Sequence, residues 1–129
     1  MTSSTTPVTG FIAFTIDTPD ASRAARFYAD LAGGEVTGEY PEYGYAQVEI
    51  LGQTLNFQSV ADYGRPEWPG QAHPQQFHLD LRVGDLAAAI AHAEALGATV
   101  AAEQPEGATW RVMIDPDGHP FCLCPPSQE

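Results

Sequence analysis

The sequence predicts an α+β fold of two βαβββ modules, in which curved mixed sheets surround a cleft and helices cover the outside. Apolar and polar residues alternate in several short segments, as in strands with one buried face. Two other segments repeat apolar residues every three or four positions, which indicates amphipathic helices. The chain also repeats itself, because FTIDTPDASRAARFYADLAGGEV and LDLRVGDLAAAIAHAEALGATV each contain a strand, a cap, a helix, a glycine and a strand.

The first module is predicted over about residues 10–60. Its helix begins near Pro19, where Asp17 or Thr18 can cap the first free amides, and it ends at Gly33. Its strands are predicted, in chain order, at residues 11–16, 35–39, 43–51 and 53–60. The last two form an antiparallel pair around Gly52, because glycine suits the tight turn that joins such strands.

A linker at residues 61–75, rich in proline and glycine, precedes a second module at about 76–125. Asp85 is predicted to cap the second helix, and Gly97 is predicted to end it. The strands of this module are predicted at residues 77–83, 98–103, 109–114 and 119–124, with a turn at 115–118. The whole chain, residues 1–129, is thus predicted to be a single domain.

The composition excludes some classes of partner. With 17 acidic and 5 basic residues the formal net charge is −12, and such a surface repels the phosphates of nucleic acids. Solubility is the simpler explanation of this charge, and attraction of a cationic small molecule is the alternative. The apolar segments are too short to cross a bilayer and the N-terminus lacks a secretory signal, which predicts a cytoplasmic protein without a membrane partner.

The two cysteines, Cys122 and Cys124, lie two positions apart in one predicted strand. They point to the same side, where a disulfide between them would be strained. The sequence has no second cysteine pair for a zinc site, so we expect reduced thiols. Two interpretations of Cys122 stay open: a small buried apolar residue, or a nucleophile with His78 as its base.

Taken together these motifs resemble the vicinal oxygen chelate (VOC) superfamily, and within it the glyoxalase-like domain branch. The residues that carry the resemblance are TPDASRAARFYADLAGGEV, LNFQSV, FHLDLRVGDLAAAIAHAEALGA and WRVMIDPDGHPFCLC. The superfamily includes glyoxalase I, extradiol dioxygenases, fosfomycin-resistance enzymes and bleomycin-resistance proteins. The resemblance implies a small-molecule ligand in the cleft and a homodimer, in which modules of two chains complete the clefts.

In metal-dependent members, the resemblance implies four ligands, from the first and last strands of each module. The aligned positions in this sequence are Phe11, Gln58, His78 and Cys122. Phenylalanine has no donor atom, glutamine is a weak ligand, and a thiolate binds zinc or iron better than magnesium or manganese. We therefore expect no metal and no other cofactor, with a divalent ion on three protein ligands as the alternative.

The candidate ligand-binding residues combine these polar side chains with exposed aromatic ones. They are Gln58, His78, Cys122, Tyr45, Trp68 and Trp110. Aromatic rings can stack on a flat or cationic ligand, although core packing explains such rings as well. His78 is also the candidate catalytic residue, and its alternative is a hydrogen-bonded core histidine. Asp80, on the same face as His78, can hold the imidazole or pair with Arg82, and we expect the pair with Arg82. We expect His92 and His119 to be exposed.

Three functional hypotheses follow from the resemblance and the residues. The first is a small-molecule-binding protein of the glyoxalase/bleomycin-resistance kind, without a complete catalytic metal site. The second is a metal-dependent lyase or isomerase of the glyoxalase type that uses a partial site of Gln58, His78 and Cys122. The third is a metal-free isomerase or cyclase with His78 as general base.

Overall fold

The computed structural model describes residues 6–126, so the first five and last three residues of the predicted domain lie outside it. The elements follow the predicted order. The helices are α1 (Ala21–Ala32) and α2 (Leu86–Ala95), and Pro41–Tyr43 forms one 3₁₀ turn. The strands are β1 (Phe14–Thr18), β2 (Glu35–Tyr40), β3 (Tyr45–Ile50), β4 (Gln53–Ser59), β5 (Leu79–Arg82), β6 (Thr99–Val100), β7 (Arg111–Ile114) and β8 (Pro120–Cys124). Within residues 6–126 neither helix is long and apolar enough to cross a membrane.

The strands form two four-stranded mixed sheets with the same topology. The strand order is β1-β4-β3-β2 in the first sheet and β5-β8-β7-β6 in the second. In each sheet the first strand pairs in parallel with the last one along the chain, and the other neighbours are antiparallel. A parallel pair requires a long crossover, which here contains the helix. The predicted fold class, α+β with two βαβββ modules, is confirmed.

The helix caps follow the predicted chemistry but not every predicted position. Asp85 caps α2 as expected, and its carboxylate accepts from the Ala88 amide at 3.1 Å. The α1 cap is Asp20, which accepts from the Arg23 amide at 3.2 Å, and not Asp17 or Thr18. The prediction was wrong because β1 continues to Thr18, so the helix starts one position after Asp20.

The first strand also begins later than the alternation suggests. β1 starts at Phe14, where its register with β4 starts by pairing Phe14 with Leu55. Phe11 and Ile12 lie before this strand and are 70% and 84% exposed. The alternation of apolar and polar residues could not show where β1 begins, because its first backbone pair depends on where β4 lies beside it.

Both sheets and both helices share one apolar core. Tyr28 of α1 stacks on Phe57 of the first sheet, with ring centroids 5.7 Å apart, and meets Phe121 of the second sheet edge-on at 6.4 Å. Ala93 of α2 belongs to the same buried cluster. Since successive strand residues alternate between faces, the residues beside Phe57 and Phe121 point away from this core. The outer faces of the two sheets, on the sides away from the core, are therefore two separate surfaces.

A polar turn at residues 115–119 joins the modules within this core. The Tyr28 hydroxyl donates to the Asp115 carboxylate at 2.5 Å, and the Thr18 hydroxyl donates to Asp117 at 2.6 Å. Arg23 forms an ion pair with the same Asp117. His119 is 1% exposed, and its Nε2 lies 3.0 Å from the Asp17 carbonyl oxygen. The expectation of an exposed His119 was wrong, because the turn is buried against the first module.

Removal of the Tyr28 hydroxyl is expected to destabilise the fold. In Tyr28→Phe the buried Asp115 carboxylate loses its side-chain donor and keeps the backbone amides of Asp117 and His119. We expect the free energy of unfolding to fall by about 1–3 kcal/mol at pH 7 in urea titrations. The matched Tyr43→Phe control alters a hydroxyl on a 75% exposed residue, and we expect it to change stability by about 0.5 kcal/mol or less.

The same variant should show a pH dependence of defined sign. Burial raises the pKa of Asp115 above its ordinary 3.8, and the Tyr28 hydrogen bond partly opposes this shift. In Tyr28→Phe the folded-state pKa rises further, so stability is lost as pH rises from the unfolded value through the folded one. The difference in the free energy of unfolding between Tyr28→Phe and the native chain should therefore shrink below pH 3.8. An equal difference at acidic and neutral pH would contradict this account.

Candidate functional site

The outer face of the second sheet carries an open hollow of about 470 Å³, which we call the β5–β8 hollow. Its lining residues are His78, Asp80, Trp110, Cys122 and Cys124. His78, directly before β5, and Asp80 share a face because they are two positions apart in extended chain, and the two cysteines share that face of β8. The parallel register places Asp80 opposite Cys122, which brings the two strands' polar side chains together.

His78 lies at the centre of this group. Its Nε2 is 3.0 Å from the Cys122 sulfur and 3.2 Å from an Asp80 carboxylate oxygen. Its Nδ1 lies 3.2 Å from the side-chain carbonyl oxygen of Gln75, at the end of the linker. The His78 side chain is 28% exposed and that of Asp80 is 72% exposed. An imidazole, a carboxylate and a thiol thus converge at one place that solvent can reach.

Asp80 does not form the predicted pair with Arg82. Its carboxylate turns to His78, whereas the Arg82 guanidinium donates to the Pro125 carbonyl oxygen at 2.5 Å. The physical reason is the closeness of the imidazole on the same face, which gives Asp80 a hydrogen-bond partner fixed by the strand. The observed contact is the alternative that the spacing of two from His78 also allowed, in which Asp80 holds the imidazole. Asp80 thus joins the site, although it was not among the predicted site residues.

The two thiols are free and resist ionisation. Burial raises the pKa of Cys122 to about 12, and the negative charge of Asp80 adds to this effect. Burial and Asp80 also raise the pKa of Cys124, while Arg82 partly lowers it. Both side chains are therefore neutral thiols at pH 7. Such thiols are poor nucleophiles, since the thiolate is the reactive form.

A comparison with protein-family models gives a match over most of the chain. The model of the glyoxalase-like domain family covers residues 13–124, which span both modules and the hollow. This chain belongs to the glyoxalase-like domain family. The predicted membership of the VOC superfamily is thereby confirmed. A search of curated proteins found no match.

Solved structures support the same fold for this glyoxalase-like domain. The fosfomycin resistance protein FosX from Listeria monocytogenes superposes with a TM-score of 0.69 at 15% identity, over 95% of this chain and 94% of that one. A gene product from Arabidopsis thaliana gives a TM-score of 0.67 at 19% identity, over 91% and 98% of the two chains. A glyoxalase/bleomycin resistance protein/dioxygenase family enzyme from Burkholderia phytofirmans gives 0.63 at 18% identity, over 86% and 94%.

The internal repeat of the glyoxalase-like domain corrects the alignment of its two modules. Phe14 pairs with Leu55 in the first sheet as Leu79 pairs with Phe121 in the second. By this register the position in the first module that is equivalent to His78 is Ala13, and the position equivalent to Cys122 is Asn56. Phe11 and Gln58, which the sequence alignment placed at these positions, are each displaced by two residues. Alanine offers no side-chain donor and asparagine only a weak one, so the stronger donors belong to the second module.

Gln58 and Tyr45 lie on the first sheet and do not line the β5–β8 hollow. The Gln58 amide donates to the carbonyl oxygens of Tyr43 and Gly44 at 3.4 Å and 3.2 Å. Tyr45 packs against Tyr40 with ring centroids 5.8 Å apart. The structure therefore brings His78 and Cys122 together but leaves Gln58 outside their hollow, because the two outer faces point away from the common core.

The two tryptophans have different places around the hollow. Trp110, just before β7, lines it and is 39% exposed. Trp68, in the linker, is half-buried and packs against a small apolar cluster of Ala101, Val112 and Cys122. Trp68 thus supports the wall that holds Cys122, while Trp110 presents a partly exposed indole to the hollow. The predicted exposure of His92 is confirmed.

The reactivity of Cys122 tests the electrostatics of the hollow. In a Cys124→Ala background Cys122 is the only thiol of the chain, and a pKa of about 12 instead of 9.0 lowers its thiolate fraction at pH 8 about a thousandfold. We expect slow alkylation by iodoacetamide, with a rate that keeps rising between pH 7 and pH 10. Asp80→Asn removes a negative charge and should speed the reaction, whereas Glu103→Gln, outside the hollow, should not. Fast alkylation with a plateau below pH 9 would contradict this description.

Proposed function

We propose that this glyoxalase-like domain binds a small molecule in the β5–β8 hollow, with His78, Cys122 and Trp110 among its contacts. The observation that carries the proposal is the convergence of an imidazole, a carboxylate and a thiol beside an exposed indole, on one open sheet face. Binding sites combine an apolar wall with a few converging polar groups in this way. The candidate residues Gln58 and Tyr45 belong to the other outer face and are left out of this proposed contact set.

The charges of the hollow favour a cationic or aromatic ligand. Asp80 contributes an exposed carboxylate, and the two thiols are neutral at pH 7 because burial raises the pKa of each. The Arg82 guanidinium is turned to the Pro125 carbonyl oxygen. Trp110 can stack on a flat ring or a cation. The formal net charge of −12 adds a weaker long-range attraction for cations.

Similarity to proteins with a stated role supports the binding of a small molecule. FosX from Listeria monocytogenes is a fosfomycin resistance protein, and the Burkholderia phytofirmans protein is a glyoxalase/bleomycin resistance protein/dioxygenase family enzyme. At 15% and 18% identity these likenesses establish the fold and leave the ligand open. The acidic hollow with its exposed indole therefore decides which compounds should be tried first.

Calorimetric titration with a panel of cationic antibiotics that carry aromatic rings tests this proposal. We expect at least one compound to bind, and Trp110→Ala to weaken it by about 5–30-fold through loss of stacking worth about 1–2 kcal/mol. Asp80→Asn should weaken it through loss of charge. Tyr43→Ala, which removes an exposed ring outside the hollow, serves as the matched control. Failure of every compound to bind, or equal effects of Trp110→Ala and the control, would count against the proposal.

A second candidate function is a metal-dependent lyase or isomerase, favoured by the donor set. The nearest donor atoms of His78, Asp80 and Cys122 all lie within 4.8 Å of one another. Ligand atoms around a tetrahedral zinc ion are roughly 3.3–3.6 Å apart, and Nε2 is 3.0 Å from the sulfur and 3.2 Å from the carboxylate. The mixed nitrogen, oxygen and sulfur donors suit zinc better than magnesium. A bound ion of this kind would polarise a substrate oxygen.

Metal analysis of protein purified without chelators separates the two candidates. The metal-dependent reading predicts about one zinc ion per chain, lost in His78→Ala and kept in the control His92→Ala, which alters an exposed histidine on α2. Zinc-free protein that also fails to take up added zinc would exclude this candidate. Turnover that persists in a chelator would instead favour the metal-free isomerase or cyclase, with His78 as general base.

The homodimer and the cytoplasmic location stay predictions. An exposed apolar surface supports the homodimer as a proposal: Phe11 and Phe14 contact each other with ring centroids 4.7 Å apart and are 70% and 52% exposed. Leu51, 69% exposed, lines the same apolar groove as Phe14. Side chains of this size lose contact with water when a second chain covers them.

A further inference from the structure

The outer face of the first sheet carries polar and aromatic side chains that the proposed function does not use. Val48 and Phe57 of this sheet are buried in the core, so their neighbours Gln47 and Asn56 point to the opposite side. We call this surface the amide face and define it by six residues that share it: Glu35, Thr37, Tyr40, Gln47, Glu49 and Asn56. It belongs to the first sheet and is therefore separate from the β5–β8 hollow.

A row of hydrogen bonds crosses the middle of the amide face. The Thr37 hydroxyl donates to the Gln47 side-chain oxygen, and the Gln47 side-chain nitrogen donates to the Asn56 side-chain oxygen, each at 3.0 Å. The row ends on the Asn56 side-chain nitrogen, which has no acceptor within residues 6–126. Asn56 is only 8% exposed, but this nitrogen is not fully buried. A nearly buried amide of this kind favours a ligand that supplies an acceptor oxygen.

Tyr40 provides a ring surface beside this row. A Cβ atom at Gly38 would lie 2.8 Å from the Tyr40 ring, so the ring covers the strand where Gly38 has no side chain. Gly38 pairs with Gln47, which places the ring next to the row of hydrogen bonds. Tyr40 is 45% exposed and contacts Tyr45 with ring centroids 5.8 Å apart. An exposed ring beside amide donors suits a sugar, whose C–H face packs on the ring while its oxygens accept hydrogen bonds.

Two carboxylates stand opposite each other at the other end of the amide face. Glu35 of β2 pairs directly with Glu49 of β3, and both residues are exposed. Like charges directly opposite on adjacent strands destabilise a sheet, so a cation between them is favoured. Glu49 follows Tyr45 by four positions of β3, a span of about 13 Å, which is longer than one sugar ring. The amide face therefore suits a chain of sugar rings that carries amino groups.

We propose that the amide face binds a cationic amino sugar of two or more rings. One ring packs on Tyr40, an oxygen of the ligand accepts from the Asn56 amide, and an ammonium group lies between Glu35 and Glu49. The charge of such a ligand also complements the formal net charge of −12. This inference goes beyond the proposed function, because it places a second class of ligand on the other sheet.

Calorimetric titration with kanamycin, a cationic three-ring aminoglycoside without an aromatic ring, tests this inference. We expect one kanamycin to bind per chain, and Tyr40→Ala and Asn56→Leu each to weaken binding by about 5–30-fold. Gly38→Ala should weaken binding similarly and preserve the fold, because the added methyl group displaces the Tyr40 ring. Circular dichroism of the three variants separates loss of the site from loss of the fold.

Charge and ring controls separate this site from a general attraction of cations. Glu49→Gln should weaken kanamycin binding by about 2–5-fold. Glu103→Gln, which removes an exposed carboxylate of the second module, should leave the affinity unchanged, as should Trp110→Ala on the other sheet. Spermine, a polyamine without sugar rings, should bind more weakly than kanamycin and should not respond to Tyr40→Ala.

Three results would overturn the inference: no binding of kanamycin, spermine binding of equal strength, or unchanged kanamycin affinity in Tyr40→Ala and Asn56→Leu. None of them would affect the titrations with aromatic antibiotics, which depend on Trp110 and Asp80 of the β5–β8 hollow. The two proposals can therefore fail independently.

Discussion

The burial of two carboxylates between the modules is the interaction on which the arrangement of the two sheets depends. Asp115 and Asp117 are 3% and 4% exposed, and charged groups at such depth require hydrogen-bond or ionic partners. Their side-chain partners are Tyr28, Thr18 and Arg23, all from the first module, whereas the carboxylates come from the second. Rotation or sliding of one module would deprive these carboxylates of their side-chain partners. The polar turn therefore orients the sheets, and the apolar core fills the space between them.

This orientation gives the two outer faces different roles although the modules are repeats. On the first sheet, the side-chain amides of Gln47 and Asn56 hydrogen-bond each other at 3.0 Å, and the Thr37 hydroxyl donates to Gln47, also at 3.0 Å. These polar groups are uncharged and form one row across the sheet. On the second sheet, His78 and Cys122 stand where the first has Ala13 and Asn56. Asp80 likewise stands where the first sheet has Thr15, so three changed positions concentrate the reactive chemistry in one module.

The sequence predicted correctly those features that depend on residues close together along the chain. Alternation and capping located both helices, most strands and the outward direction of His78, because these depend on neighbours along the chain. The burial of His119 was not predictable in this way, since it depends on the Tyr63 hydroxyl at 3.1 Å and the Asp17 carbonyl, both distant in sequence. The exclusion of Gln58 from the hollow likewise follows from how the two sheets pack. Sequence therefore identified the correct strands for the site but not the correct set of partners.

The environment of Cys122 explains how one hollow can suit a positively charged or soft ligand while its thiols stay unreactive. Burial is the largest cause of the raised pKa of Cys122, and the Asp80 charge that adds to it also attracts a cation. A positive ligand placed between them would offset the Asp80 field and stabilise the thiolate at the same time, so ligand binding and loss of the thiol proton are coupled. A neutral or anionic ligand would gain nothing from this coupling. The arrangement of His78, Asp80 and Cys122 thus favours a positively charged or soft ligand, whatever the fit between the shapes of ligand and hollow.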